Sequence, residues 1–301
     1  LSFSFQPSVG KEKNHILSLV AGLLSSVLLI GTMKISGYNF HHKKTVQILG
    51  TCYLTISGLC GYASTSHFLQ SSFRVNPCHA VAWMILLTSL PMAITTEATL
   101  LPRLGSLVVA LQSMYLLLCI TYEGIFLLSL ISTMFTWMLL EYHSSYAHVQ
   151  LSEMSLVRAN GERQRNVITS RDVQRALMFL FFSVVSFFGT GNIASLNSFD
   201  PKSIQTLVSV FNPFLMGSLL LMKVLIPFLV VACFVCVVQK ISCMPSKALF
   251  FLVLLFSDIM GLHFFFHVTD QGSWQEIGTS LSHFVITEGI VVFLQVFWII
   301  S

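Results

Sequence analysis

Apolar runs long enough to cross a lipid bilayer recur along the whole sequence, separated by short polar segments. A helix needs about 20 such residues to span the hydrocarbon layer. Inside lipid, only helices and closed barrels satisfy their own backbone polar groups. The runs fall at residues 15–33, 45–64, 78–94, 102–142, 173–188, 203–238, 247–268 and 278–300. Run 102–142 is too long for one span and breaks at Thr121-Tyr122-Glu123-Gly124, which divides it into two helices joined by a tight hairpin. Run 203–238 is interrupted at Asn212-Pro213, so a short interfacial or re-entrant segment precedes a full span from Phe214. The expected fold is all-α: a polytopic transmembrane bundle of nine spans, with eight and ten as the neighbouring counts. Five spans fall in 1–142, a polar loop occupies 143–172, and four spans fall in 173–301.

Composition excludes the other classes. Only 9% of the residues are charged, against about 25% in an ordinary soluble domain. Hydrophobic residues make up 54%, with 26 phenylalanines and a mean hydropathy of +0.79. So few charges could not cover a soluble globule, and so apolar a chain is neither disordered nor a disulfide scaffold. The net charge of +4 is scattered, which argues against nucleic-acid binding. Cys52, Cys60, Cys78, Cys119, Cys233, Cys236 and Cys243 lie mostly in apolar runs. The C-x-x-C pair Cys233 and Cys236 sits in VVACFVCVV and reads as packing thiols, since a redox or zinc site needs polar surroundings and further ligands. The sequence begins with Leu1 and carries no cleavable signal pattern at its start, so it is expected to be a piece of a longer protein.

Lysine and arginine set the sidedness of such a bundle. With nine spans, one side receives Lys34, Lys43, Lys44, Arg103, Arg158, Arg163, Arg165, Arg171, Arg175, Lys240 and Lys247. The other receives Lys11, Lys13, Arg74 and Lys202, and Lys223 lies within a span. The first side is therefore expected to be cytoplasmic, and the loops 189–201 and 268–277 to face the lumen or exterior. Merging the hairpin at Glu123 into one helix would reverse everything after it and separate the basic loop 158–175 from the basic loop 34–44. The 143–172 loop, Arg-rich and mixed in sign, reads as a solvated segment beside anionic headgroups. No internal repeat supports an inverted-repeat transporter.

Ionisable groups inside spans need a reason to be there, because a lone charge at the bilayer centre costs about 2.5–3.5 kcal/mol on insertion scales. Lys223, in LLLMKVLIPFLV, and Asp258, in LLFSDIMGLHFFF, lie at comparable distances from the short loop between their helices. The expectation is a Lys223–Asp258 ion pair across neighbouring antiparallel helices. His263 and His267 share a helix face at i, i+4 spacing. Without a third and fourth ligand nearby, they read as interfacial histidines rather than half of a metal site. Glu97 and Glu123 fall at helix ends, where solvation is cheap, whereas Glu288 lies deeper and its partner is not legible. The loop Phe188-Gly189-Thr190-Gly191-Asn192-Ile193-Ala194-Ser195-Leu196-Asn197-Ser198-Phe199-Asp200-Pro201 offers tight turns and headgroup-scale polar groups. Its two glycines lack the lysine of a nucleotide-binding loop, and its plain alternative is a helix terminus followed by a capped turn.

Those residues also carry a resemblance. FFGTGNIASLNSFDP, then VFNPFLMG, KVLIPF and SDIMGLHFFFHVTDQGSWQEIGTSLSHFVI, closely resemble the carboxy-terminal membrane region of the PIG-N family, over residues 187–286. The earlier spans match in hydropathy and in pieces such as Ile120-Thr121-Tyr122-Glu123. The resemblance implies a multi-pass protein of the endoplasmic-reticulum membrane in glycosylphosphatidylinositol (GPI) anchor synthesis. Such an enzyme moves ethanolamine phosphate from phosphatidylethanolamine to the first mannose of the GPI mannolipid intermediate. The family's chemistry belongs to an amino-terminal lumenal domain with a threonine nucleophile and a divalent metal, expected to be zinc. This chain carries none of that domain's carboxylate and histidine cluster, so no catalytic residue or metal ligand is assigned here, and the segment alone is expected to be non-catalytic.

The resemblance leaves the membrane part a positioning role. Asn192, Asn197, Asp200, His263 and His267 are expected to face a lipid-headgroup groove, with Lys223 and Asp258 bracing its floor. Two other classes stand beside this reading. One is a transporter or lipid scramblase using Lys223, Asp258 and Glu288; the other is a membrane scaffold for partner subunits.

Overall fold

The computed structural model describes residues 16–35, 44–65, 77–94, 100–119, 123–145, 170–189, 207–208, 212–242 and 246–267. Their eight helices are α1 (Ile16–Ile35), α2 (Lys44–Thr65), α3 (Pro77–Ile94), α4 (Leu100–Leu118), α5 (Glu123–Ser145), α6 (Ser170–Gly189), α7 (Pro213–Ser242) and α8 (Ser246–His267). No strand occurs among the described residues. The break expected at 121–124 separates α4 from α5. Asn212-Pro213 does not merely interrupt an apolar run but starts α7. The Asn212 carbonyl accepts the Met216 N–H at 3.0 Å, the Asn212 side-chain oxygen accepts the Leu215 N–H at 3.4 Å, and Pro213 takes the first helical position, where its missing N–H costs nothing.

Three described segments are long and apolar enough to cross a membrane: Leu100–Leu118, Glu123–His143 and Pro213–Ser242. Shorter apolar helical segments, Leu19–Gly31, Ile48–Cys60 and His79–Ser89, lie before them in the chain. The ninth expected span, 278–300, lies outside the described residues, as do most of the 143–172 loop and the loops 190–201 and 268–277.

Helices α4 and α7 pack against each other, with α2 and α3 on α4, and α5 and α6 on α7. Helix α1 bridges α2, α4 and α5, while α8 packs against α6. Every residue from Val109 to Cys119 is buried, and α7 contributes Phe228, Val230, Val231 and Phe234 to the same core. The outward faces carry large apolar side chains, among them Val27, Leu87, Phe181 and Phe251. Apolar residues inside and outside together mark a bundle whose solvent is hydrocarbon. Serine and threonine hydroxyls inside the helices donate to carbonyls three or four residues back, as Ser25 does to Ala21 at 2.6 Å and Ser183 to Phe179 at 2.9 Å. Such back-bonding satisfies a polar side chain where no water is at hand.

In lipid, helices associate by van der Waals contact, so close approach of small residues replaces the hydrophobic effect. The α1–α2 crossing shows this. A Cβ added at Gly22 would lie 2.9 Å from the Leu54 carbonyl oxygen and 3.2 Å from the Gly58 Cα. Both are backbone atoms, so α1 itself must move. Gly31, on the same helix, has nothing within 4 Å of its Cβ position. Gly22→Val is therefore expected to destabilise the bundle by about 1–3 kcal/mol, the usual cost of overpacking, and Gly31→Val to be silent. Thermal unfolding of the two full-length variants in detergent checks the contrast, and equal midpoints would refute the close crossing.

Candidate functional site

The charged centre of the described bundle is an ion pair between α5 and α7. Lys223 Nζ lies 2.7 Å from Glu123 Oε2, with side-chain exposures of 7% and 18%. Glu123 opens α5, where the helix N-terminus favours a negative charge. The first turn of α5 is closely packed. A Cβ at Gly124 would meet Cys119 Sγ and Leu116 Cδ2 at 3.1 Å and the Ala21 Cβ at 3.4 Å, so glycine lets the hairpin seat against α4 and α1. On α7, Pro227 stands four residues after Lys223 and has no N–H, so the helix supplies no i+4 donor to the Lys223 carbonyl. Cation, carboxylate and a backbone carbonyl released by proline thus fall at one level of the bundle.

This corrects the expected Lys223–Asp258 pair. Consecutive helices are neighbours only about two-thirds of the time, and here α8 crosses to pack against α6. Asp258 is exposed on α8, while Lys223 turns to the hairpin. Glu123 was expected to be solvated at a helix end; instead its carboxylate is drawn into the bundle because the hairpin ends partway along the longer α7.

A second charged cluster lies toward the opposite end of α5. Arg175 Nε and Nη2 donate to Glu141 Oε2 at 3.0 and 2.8 Å, and its Nη1 donates to Asp172 Oδ1 at 2.7 Å. Arg175 and Asp172 are buried, with 4% and 1% exposure. Asp172 also occupies the first turn of α6. Arg175 is therefore a clamp between α5 and α6 and not, as its place in the basic stretch suggested, a loop cation.

Between these clusters an open-sided cleft of about 690 Å³, counting the open space at its mouth, lies among α1, α2, α4, α5 and α7. Its walls are apolar, with Leu104, Val108, Leu128, Ile131, Phe135 and Phe234 prominent, and its polar lining residues are Ser25 and Gln112. The Gln112 amide donates to Ser25 Oγ at 2.9 Å, and Ser25 Oγ donates to the Ala21 carbonyl. The amide nitrogen thereby finds an acceptor inside an otherwise apolar interior.

Other long-range ties fix the frame. Trp83 Nε1 donates to the Leu207 carbonyl at 2.8 Å, which holds the chain ahead of α7 to α3. The Tyr53 hydroxyl donates to Thr88 Oγ1 at 2.6 Å, linking α2 to α3. Cys233 and Cys236 are free, half-buried thiols on α7.

The residues expected to line a headgroup groove are not placed together by the described structure. Asn192, Asn197, Asp200 and Glu288 lie outside the described residues. His263 and His267 fall on the last turns of α8, and their side chains too lie outside what is described. Among the described residues no group of three or more His, Cys, Asp or Glu side chains could hold a metal ion, so no step is assigned to one here.

A family model described as Phosphatidylinositolglycan class N (PIG-N) matches residues 2–273. The chain is 36% identical over 301 residues to GPI ethanolamine phosphate transferase 1 of Homo sapiens, covering 97% of this chain and 32% of that protein. The enzyme of the same name from Mus musculus is 37% identical over 303 residues, with the same coverage. That of Gibberella zeae is 34% identical over 321 residues, covering 100% of this chain and 33% of the relative. The likeness thus extends well beyond residues 187–286, through the earlier spans. The chain spans about a third of the length of the curated relatives it matches. No solved structure matches it significantly.

Proposed function

The chain belongs to the phosphatidylinositolglycan class N family, and from that premise we propose that it forms the membrane part of a GPI ethanolamine phosphate transferase. In this reading the whole enzyme sits in the endoplasmic-reticulum membrane. It moves ethanolamine phosphate from phosphatidylethanolamine to the first mannose of the GPI precursor. The chemistry lies in an amino-terminal lumenal domain with a threonine nucleophile and a divalent metal, zinc. The bundle's task is geometric. Both substrates are lipids, so holding each at fixed depth and orientation beneath the reacting groups replaces free encounter with an arranged one.

The observation that carries this reading is the continuous match of the chain to proteins named GPI ethanolamine phosphate transferase 1. The distribution of lysine and arginine supports the orientation: with the basic loops cytoplasmic, the α4–α5 hairpin, the Glu123–Lys223 pair and the loops 189–201 and 268–277 all fall toward the lumen. Asn192, Asn197 and Asp200 of the first loop, with His263 and His267 at the lumenal end of α8, are then the headgroup-facing groups. The carrier or scramblase alternative drew on Lys223, Asp258 and Glu288; Lys223 is paired with Glu123 rather than with Asp258, and Glu288 lies outside the described residues.

The test is complementation. Cells lacking their own enzyme are supplied with the full-length protein that contains this chain, and their GPI precursors are examined by mass spectrometry. Ethanolamine phosphate is expected to return to the first mannose. Continued accumulation of the unmodified mannolipid, with the protein correctly located, refutes the assignment.

A further inference from the structure

We propose that the cleft among α1, α2, α4, α5 and α7 holds one acyl chain of a diacyl phospholipid whose phosphoethanolamine headgroup lies on the Glu123–Lys223 pair. This deepens the transferase reading and rests on it for the identification of the bound lipid as the donor.

The dimensions agree. On α4 the cleft is lined from Leu101 to Gln112, about 16 Å at 1.5 Å rise per residue. That is about half the ~30 Å hydrocarbon thickness, the depth of one leaflet. Along α5 the lining starts at Leu128, five residues or about 7 Å beyond Glu123. Along α7 it includes Phe234, eleven residues or about 16 Å beyond Lys223. The charged pair therefore stands off one end of the cleft by roughly the length a glycerol linkage occupies between a phosphate and its acyl chains. Ala21 and Ser25 connect the two regions along α1. The Ala21 Cβ lies 3.4 Å from the Cβ position of Gly124, and Ser25, one turn on, lines the cleft.

The charges complement a zwitterion. Lys223 offers an ammonium to a phosphodiester, and Glu123 offers a carboxylate to a second cation. A primary ammonium has three N–H donors for that carboxylate and for the Lys223 carbonyl that Pro227 leaves without its i+4 donor. A quaternary ammonium has none. A site built to receive N–H donors rejects an analogue lacking them far more strongly than a merely apolar site can, so the pair is expected to select ethanolamine over choline headgroups.

The experiment uses the full-length protein in lipid nanodiscs with a phosphatidylethanolamine carrying a photoreactive diazirine near its chain end. Labelling is expected to map to cleft residues such as Val108, Ile131 and Phe135. Unlabelled phosphatidylethanolamine should displace it about tenfold better than phosphatidylcholine, the equivalent of one charge-assisted hydrogen bond. Val108→Trp, which fills the cleft, should abolish cleft labelling, and Leu140→Trp, on the exposed face of α5, should leave it intact. Equal displacement by the two lipids in the unaltered protein overturns the proposal without recourse to any variant. So does labelling spread evenly over outward residues such as Phe251 and Leu255. If cleft labelling and headgroup preference hold while the full-length protein fails to restore transfer in cells, the transferase reading fails and the lipid site stands.

Discussion

Arg175→Met is expected to destabilise the bundle by about 3–5 kcal/mol, the usual consequence of removing one partner from a buried ion pair. The guanidinium holds two carboxylates, Glu141 on α5 and Asp172 on α6, through three short bonds. Its loss leaves Asp172 buried and charged without its guanidinium partner, in the first turn of α6 where the helix N-terminus offsets part of the penalty. Arg175→Lys should recover only part of the deficit, because a single ammonium cannot reproduce a planar fork reaching both acids. The triple replacement Arg175→Met, Glu141→Gln and Asp172→Asn should recover most of it, since the penalty lies in the uncompensated charges rather than in missing attraction. Thermal unfolding of the full-length variants in detergent measures all three. An Arg175→Met protein as stable as the unaltered one would show that the clamp carries no load.

The helices were legible because their signal is strong and local. Twenty apolar residues in a row announce a span regardless of what they touch, and Gly124 and Asn212-Pro213 mark the breaks. Partner choice was not legible, because it depends on which helices become neighbours. Lys223 and Asp258 sit in consecutive helices, and pairing them was the reasonable expectation. Helix α8 crosses to α6, and that crossing is decided by packing distributed over many side chains, with no single residue to announce it. The Glu123 miss has a different origin. Its position at a helix start suggested water, but α7 runs for 30 residues and passes the hairpin, so the start of α5 lies beside the interior of α7. Comparing the two helix lengths would have pointed to this.

Gln112 and the cleft were missed for a third reason. A lone amide in an apolar run looks incidental until Ser25, 87 residues earlier, is seen to accept from it. The Arg175 clamp was hidden by its place in a basic stretch, although Asp172 three residues before it on the same helix face was the available clue. By contrast, the joined motifs of residues 187–286 were enough to name the family, but those of the 189–201 loop did not place a single contact. Family likeness follows residue identity in order, whereas a site follows proximity in space.

The Glu123–Lys223 pair should respond asymmetrically to single replacements. Glu123→Gln strands an ammonium that is 7% exposed in the interior of α7, and a loss of about 3–5 kcal/mol is expected. Lys223→Met strands a carboxylate that is more exposed and sits at a helix N-terminus, whose partial positive charge offsets part of the penalty, so about 1–3 kcal/mol is expected as the lower part of the range for buried groups losing a partner. The double replacement removes both charges and should lie closer to the unaltered protein than Glu123→Gln does, a coupling that a double-mutant cycle on unfolding midpoints reads directly. Stability and lipid selection then separate. If the pair only braces α5 against α7, the double variant regains both its fold and its preference for phosphatidylethanolamine over phosphatidylcholine. If the pair also receives the headgroup, the fold returns and the preference does not, because the ammonium donor, the carboxylate acceptor and their fixed spacing have gone together. The two outcomes are distinguishable in one protein preparation, by unfolding temperature and lipid competition measured side by side.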